Sequence, residues 1–280
     1  MDLIPGLNEL IARALAEDIG HGDITTAATV TGARHGRALI TVKWPRVVFC
    51  GGPLLEAVFR LTGAEPKIIS LAAEGADLAR GACAAEIEGR LDGLLTGERT
   101  ALNFVQLMSG IATVTADYVR AVAGTRARIV DTRKTHPGLR AIEKYAVRIG
   151  GGFNHRFGLD SGVLIKENHI AAAGSVHEAL HRARARAPHT LKLEIECETL
   201  DQVEEAMAAG ANAILLDNMT HDQIRRARAM AKAPILLEVS GNVTLETVRS
   251  IAETGIDLIS VGALTHSAPS ADLSMRIEPI

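Results

Sequence analysis

LKLEIECETLDQVEEAMAAGANAILLDNMTHDQIRRARAMAKAPILLEVSGNVTLETVRSIAETGIDLISVGA, residues 191–263, is one pattern written several times. LKLEIEC (191–197), NAILLDN (212–218), PILLEVSGN (234–242) and DLISVGA (257–263) are short apolar runs, which read as strands covered on both faces. LDQVEEAMAAG (200–210), HDQIRRARAMAK (221–232) and TLETVRSIAETG (244–255) lie between them and read as helices. Gly210 and Gly255 stand where a helix C-terminus favours glycine. The polar residues closing the strands, Glu196, Asp217, Ser240 and Gly262, recur at intervals of 21, 23 and 22 residues. That is the length of one strand plus its returning helix, so the region reads as a parallel α/β barrel or doubly wound sheet. In both architectures the chemistry sits beyond the C-terminal ends of the strands.

The same rule reaches upstream. RIVDTRKT (128–135) is an apolar strand running into Asp131, Thr132, Arg133 and Lys134, and LIKENH (164–169) puts Lys166 just past another apolar run. The first hundred residues differ: RALITVKWPRVVFCGG (37–52) alternates, is rich in β-branched residues, and reads as part of a small antiparallel α+β unit. TGERTALNFVQLMSGIATVTADYVRAVAG (96–124) reads as one long helix or two, with Ser109-Gly110 as the kink and Thr96 as an N-cap. The expected division is an N-terminal domain over 1–108, a barrel over 109–268, and a C-terminal segment 269–280 that returns to the N-terminal domain.

Composition narrows the function classes. Of 280 residues 47% are hydrophobic and only 3% aromatic, so the core is aliphatic, and a net charge of −3 gives no reason to expect nucleic acid or a membrane surface as partner. Cys50, Cys83 and Cys197 are far apart and form no CxxC, which argues against a disulfide framework or zinc knuckle. MDLIPGLNELIARALAEDIG (1–20) reads as an amphipathic helix rather than a signal peptide, and no apolar run is long enough to cross a bilayer. The chain reads as soluble and cytoplasmic. GxGxxG after a strand, GxxxxGK[ST] and GxSxG are all missing.

Charge is concentrated locally. Arg133, Lys134, Arg140, Lys144, Arg148, His155, Arg156 and Lys166 crowd into 133–166. Arg140, Lys144 and Arg148 recur every fourth residue and read as a solvated helix face with Glu143 available for pairing. Arg133, Lys134, His155, Arg156 and Lys166 follow strand-like runs or a glycine loop, where a barrel aims its site. Converging cations need a compensating anion, and arginine suits carboxylates and phosphates, so the pocket reads as a site for a small polyanion. Ion pairs with Asp131, Asp160 and Glu167 are the competing explanation. Arg99, placed in a first helical turn if Thr96 is the cap, opposes the helix dipole and also suggests an anion.

Glu196 and Asp217 end consecutive strands and are candidate Mg2+ ligands, a cation that takes one or two carboxylates plus substrate phosphates. Glu194 shares the strand phase of Glu196, so both can face inward. Ser240-Gly241-Asn242 and Ser260-Val261-Gly262 end the last two strands, where barrels often hold phosphate. The Gly150-Gly151-Gly152 run reads as close packing or a hinge. From the residues alone, this is an enzyme site for a phosphorylated sugar and an anionic partner.

Read in order, EDIGHGDIT (17–25), GERTALNFVQLMSGIAT (97–113), DTRKTHPGLRAIEKYAV (131–147), GGGFNHRFGLDSGVLIKENHI (150–170), LEIECETL (193–200), ILLDNM (214–219), LEVSGN (237–242) and ISVGALTHSA (259–268) resemble the quinolinate phosphoribosyltransferase family. The resemblance covers nearly the whole chain. It implies an incomplete TIM-like α/β barrel with an N-terminal α/β open-faced sandwich. It implies conversion of quinolinate and phosphoribosyl pyrophosphate to nicotinate mononucleotide, CO2 and pyrophosphate in NAD biosynthesis. The quinolinate-binding positions of the family match Arg133, Lys134, His155, Arg156 and Lys166, with Thr132 beside the substrate. Glu196 and Asp217 match the acidic pair near ribose and Mg2+, and Lys134 joins them as a candidate catalytic group. The phosphate loops match Ser240, Gly241 and Asn242, and Ser260, Val261 and Gly262. The resemblance also implies a homodimer, or a larger oligomer, in which Arg99 serves the neighbouring site. A ModD-like relative sharing the fold, nicotinate phosphoribosyltransferase, and a non-catalytic protein binding an anionic metabolite are the alternatives.

Overall fold

A computed structural model of the chain describes residues 6–32, 34–231 and 234–280. The first five residues of the expected N-terminal helix, and Lys232 at the expected end of helix 221–232, lie outside the described residues. In chain order the strands are β1 (His35–Val42), β2 (Arg46–Val48), β3 (Lys67–Leu71), β4 (Asp77–Ala79), β5 (Cys83–Arg90), β6 (Arg128–Val130), β7 (Val163–Ile165), β8 (Leu193–Cys197), β9 (Ala213–Asp217), β10 (Leu236–Ser240), β11 (Leu258–Ser260) and β12 (Leu273–Pro279). The chain divides into two compact units that interleave in sequence. One comprises Met1–Ala116, His136–Gly151 and Ser267–Ile280, the other Asp117–Thr135 and Gly152–His266.

The first unit carries a four-stranded antiparallel sheet in the order β12-β1-β5-β3. β1 alternates, with Ala38, Ile40 and Val42 fully buried, so only one face meets the core. Phe59, Leu54 and Leu55 of helix Gly52–Leu61 belong to the same unit's core. Helix Leu91–Ala121 runs unbroken over 31 residues. It begins five residues before Thr96, because LDGLL already offers apolar residues at helical spacing. Thr96 is therefore no N-cap, Arg99 lies outside the first turn, and the dipole argument for Arg99 lapses. The helix continues through Gly110. A β-carbon there would stand 2.0 Å from the Pro269 carbonyl oxygen, so glycine admits the C-terminal segment against the helix. Gly150 has a similar role, since a β-carbon would meet the Ala112 carbonyl oxygen at 2.5 Å. The helix Arg140–Ile149 also departs from expectation. Lys144 is buried, and Glu143, fully buried, pairs with His136 at 2.5 Å.

The second unit is a six-stranded parallel sheet in the order β6-β11-β10-β9-β8-β7. Every residue of β8 is buried, and β9 and β10 are nearly so, as a sheet covered on both faces requires. Helices Leu200–Ala208 and His221–Met230 return between strands, opened by Thr199 and Thr220 in capping boxes with Gln202 and Gln223. The sheet curls. β8 and β10 are separated by β9, about 9.5 Å apart in a flat sheet, yet donor atoms of Glu194 and Glu238 come within 4.8 Å. This is an incomplete α/β barrel, with β6 and β7 as its terminal strands and Phe153 bridging the outer edge of β6.

Candidate active site

Register decides which side chains face the barrel interior. Glu196 lies level with Leu215, Leu215 with Glu238, and Asp217 with Ser240. Parallel partners share a face, so one interior phase passes from β8 through β9 to β10. At the C-terminal ends of these strands is a cavity of about 780 Å³. Thr132, Arg133, Lys134, His155, Arg156 and Lys166 line one part of it. Glu196 and Asp217, with the turns at Ser240–Asn242 and Ser260–Gly262, complete it. Of the residues expected from sequence only Arg99 is elsewhere. It is exposed in the first unit and lines a separate cavity of about 490 Å³ with Asp18, Asp23 and Glu98.

A buried carboxylate shapes the turn that follows β6. Asp131 accepts from Asn154 Nδ2 at 2.6 Å and from the His155 backbone N–H at 2.8 Å. The His155 ring is held at both nitrogens. Nδ1 accepts the Arg156 backbone N–H at 2.7 Å, and Nε2 faces Glu194 Oε2 at 2.9 Å. A nitrogen that accepts an N–H carries no hydrogen, so the ring is the neutral Nε2–H tautomer donating to Glu194. His155 thus lines the cavity with both ring nitrogens already engaged. The full positive charges are those of Arg133, Lys134, Arg156 and Lys166. Arg156 donates to the Gly162 carbonyl at 3.1 Å. Burial, then the nearby Arg133, lowers its pKa, with Glu194 opposing. That conflict is relieved when an anion binds.

Lys166 caps the short helix Glu167–Ala173 and pairs with Glu196. Burial raises the Glu196 pKa against the pull of Lys166, and Glu167 and Asp217 raise it further. Asp217 accepts from Asn218 Nδ2 at 2.8 Å. Two acidic groups at adjacent strand ends, one of them ion-paired with Lys166, form a donor set that suits a hard divalent cation shared with phosphate oxygens.

The mouth is tied by short contacts. Asn218 and Asn242 both adopt left-handed backbone (φ 51° and 50°), a conformation asparagine tolerates better than most residues. Asn242 Nδ2 donates to Asn218 Oδ1 at 3.2 Å. Thr265 Oγ1 donates to the Lys134 carbonyl at 2.7 Å, and Lys134 N–H donates to Thr132 Oγ1 at 3.0 Å. A β-carbon at Gly262 would touch Lys134 Cδ at 3.1 Å and His266 Nε2 at 3.2 Å, so glycine leaves room for both. His266 was not foreseen. It follows the last strand turn by four residues, beyond the reach of a strand-end rule.

Glu238 was also missed. It lies in β10 at 1% exposure, with its carboxyl near Glu194 and 3.9 Å from His155 Nε2. Burial, and then Glu194, push its pKa up to about 8. The available signal was a lone glutamate inside the apolar run LLEV (236–239).

Comparison with known proteins agrees with this architecture. Residues 23–109 match the N-terminal domain of quinolinate phosphoribosyl transferase, and 111–276 match its C-terminal domain. The probable nicotinate-nucleotide pyrophosphorylase (carboxylating) of Bacillus subtilis is 44% identical over 271 residues, covering 97% of this chain and 93% of that protein. The Mycobacterium leprae nicotinate-nucleotide pyrophosphorylase (carboxylating) is 44% identical, covering 96% of each. The crystal structure of NadC from Streptococcus pyogenes superimposes with a TM-score of 0.95 at 41% identity, covering 100% of this chain and 99% of that one. With both domain models matched and relatives this similar along almost its whole length, the chain belongs to the quinolinate phosphoribosyl transferase family.

Proposed function

We propose that the chain converts quinolinate and phosphoribosyl pyrophosphate to nicotinate mononucleotide, CO2 and pyrophosphate, a step of NAD biosynthesis, at the mouth of its barrel. One observation carries the reading. Arg133, Lys134, Arg156 and Lys166 converge on one cavity that also holds an acidic pair and two glycine turns. A planar dicarboxylate answers the cations, and a phosphorylated sugar answers the turns and the carboxylates.

Arg133 and Arg156 clamp the quinolinate carboxylates and hold the ring nitrogen facing the ribose. Orientation is a large part of the catalysis, because that nitrogen is a poor nucleophile. Glu196 and Asp217 stabilise positive charge developing at the ribose as its bond to pyrophosphate lengthens. The nitrogen forms the new bond to ribose, pyrophosphate departs with the electron pair, and the ring becomes a pyridinium. The pyridinium accepts the electron pair released when the C2 carboxylate leaves as CO2, and a proton completes the product. Glu196 and Asp217 are the residues that would hold Mg2+, which when bound neutralises pyrophosphate charge. Lys134, on the loop tied to Gly262 by Thr265, joins the arginines in binding the quinolinate carboxylates in this reading.

The reading includes a homodimer, or an assembly of dimers, in which Arg99 reaches the partner's site. Arg99 is exposed and has no ion pair among the described residues. It also includes cytoplasmic residence, with which three free thiols accord, and no membrane or nucleic acid partner. Among the described residues no helix is long and apolar enough to cross a membrane. Incubating the purified chain with Mg2+, phosphoribosyl pyrophosphate and either quinolinate or nicotinate tests the reading. Nicotinate mononucleotide and CO2 from quinolinate alone are the expected result. No product from either substrate in folded protein would overturn it and favour a ModD-like or purely binding role.

A further inference from the structure

Two buried carboxyls, Glu238 lining the cavity and Glu194 paired with His155, have no part in the mechanism above. Glu194 and Glu238 come from β8 and β10 and are 8% and 1% exposed. Glu194 Oε1 and Glu238 Oε1 are both buried without a hydrogen-bonding group of the protein. Two ionised carboxylates cannot be neighbours in such a place, whereas one carboxylic acid hydrogen between them satisfies both. Burial and Glu194 act in that direction on Glu238. The other oxygen of Glu194, Oε2, takes the Nε2–H of His155, whose Nδ1 takes the N–H of Arg156. A connected network results: Glu238 and the ring Nε2–H both donate to Glu194, and the Arg156 backbone N–H donates to Nδ1 of the ring. The donor atoms of these three side chains lie within 4.8 Å of one another, as those of a metal site would. Nε2, however, bears the hydrogen and has no lone pair for a metal while Nδ1 accepts from Arg156. A proton fits the cluster and a cation does not.

We propose that Glu238 is a positioning residue: through Glu194 it fixes the tautomer and orientation of His155, and through His155 the backbone turn that aims Arg156 into the anion pocket. The part played by Arg156 rests on reading the cavity as the quinolinate site. Glu238 touches no substrate in this scheme. A neutral group of the same shape that still donates a hydrogen bond should replace it, and an apolar group should not.

Nitrogen NMR of the histidine rings, with the His155 signal assigned by its loss in His155→Gln, reads the tautomer directly. Calorimetry with quinolinate reads the pocket. The wild type should show Nε2–H. Glu238→Gln should keep that signal and bind quinolinate within about twofold of wild type. Glu238→Leu, which leaves Glu194 without the hydrogen, should lose the single tautomer and weaken quinolinate about tenfold, while phosphoribosyl pyrophosphate affinity is unchanged. A wild-type Nδ1–H signal, or Glu238→Leu behaving as wild type, overturns the proposal. Should Glu238→Leu not fold, Glu194→Ala decides by the same two readings. A wild type that shows Nε2–H but makes no nicotinate mononucleotide would sink the proposed function and leave the network from Glu238 to Arg156 standing.

Discussion

Asn218 Oδ1 stands 2.1 Å from where a β-carbon on Gly241 would lie, and Gly241 is at φ 99°, where L side chains are strained. The turn after β10 is therefore closed against the turn after β9, and only glycine permits it. Gly241→Ala should lower stability by about 1–3 kcal/mol. It should also raise the KM for phosphoribosyl pyrophosphate more than that for quinolinate, because the displaced backbone belongs to a phosphate turn. Asn218→Gly in the same chain removes the clashing side chain without straining the φ 51° position, so it should restore part of the stability while the strain at Gly241 remains. Urea denaturation and steady-state kinetics of both variants check this. A Gly241→Ala protein with wild-type values would mean that the turn is not closed in solution.

Arg133 lies near enough to Arg156 to lower its pKa, with Glu194 opposing. Arg133→Ala should leave the free protein folded. It should weaken quinolinate by about 2 kcal/mol, a factor of roughly 30, from loss of a charged hydrogen-bonding group. Differential scanning fluorimetry with and without quinolinate separates the two effects. A fall in the midpoint of the free protein would show that Arg133 serves the fold, and unchanged kinetics would remove it from the site.

Strand ends were legible because their cause is local and periodic. Apolar runs about 22 residues apart can only be parallel strands with returning helices, so Glu196, Asp217, Ser240 and Gly262 reached the mouth together. Part of what escaped depended on distance in sequence. Glu238 matters because β8 and β10 curl until it meets Glu194, a contact no local pattern encodes. The orientation of the His155 ring is set by a hydrogen bond from its own neighbour's backbone, which the residue type alone does not reveal. Gly110 looked like a kink because glycine weakens helices, whereas its partner is Pro269, far along the chain. The start of helix Leu91–Ala121 was misplaced because Thr96 resembles a cap in isolation.

The Glu238 carboxyl gives stability a definite pH dependence. Its folded pKa of about 8 lies above the ordinary value of 4.5, so between these limits the folded chain holds a proton that the unfolded chain has released. Unfolding loses a proton there, and stability must fall as pH rises. The contribution is full below about 4.5 and gone above about 8. Glu238→Gln has nothing to titrate, so its stability should rise relative to wild type as pH increases through this window. Urea midpoints of both proteins across the window test it, and two parallel curves would show that Glu238 is ionised at neutral pH in the folded chain.

Arg99 offers a test of assembly that needs no structure of the complex. If each site takes Arg99 from the partner and Arg133 from its own barrel, Arg99→Ala and Arg133→Ala should each be nearly inactive alone. Mixed and allowed to exchange subunits, they form heterodimers in which one site lacks both arginines and the other keeps both. At equal amounts half of the dimers are heterodimers, so activity should recover to roughly a quarter of the wild-type value, as twofold symmetry dictates. If Arg99 served its own barrel, every heterodimer site would lack one arginine and mixing would restore nothing. Sedimentation before and after exchange confirms that dimers formed, so that absent recovery counts against sharing and not against mixing.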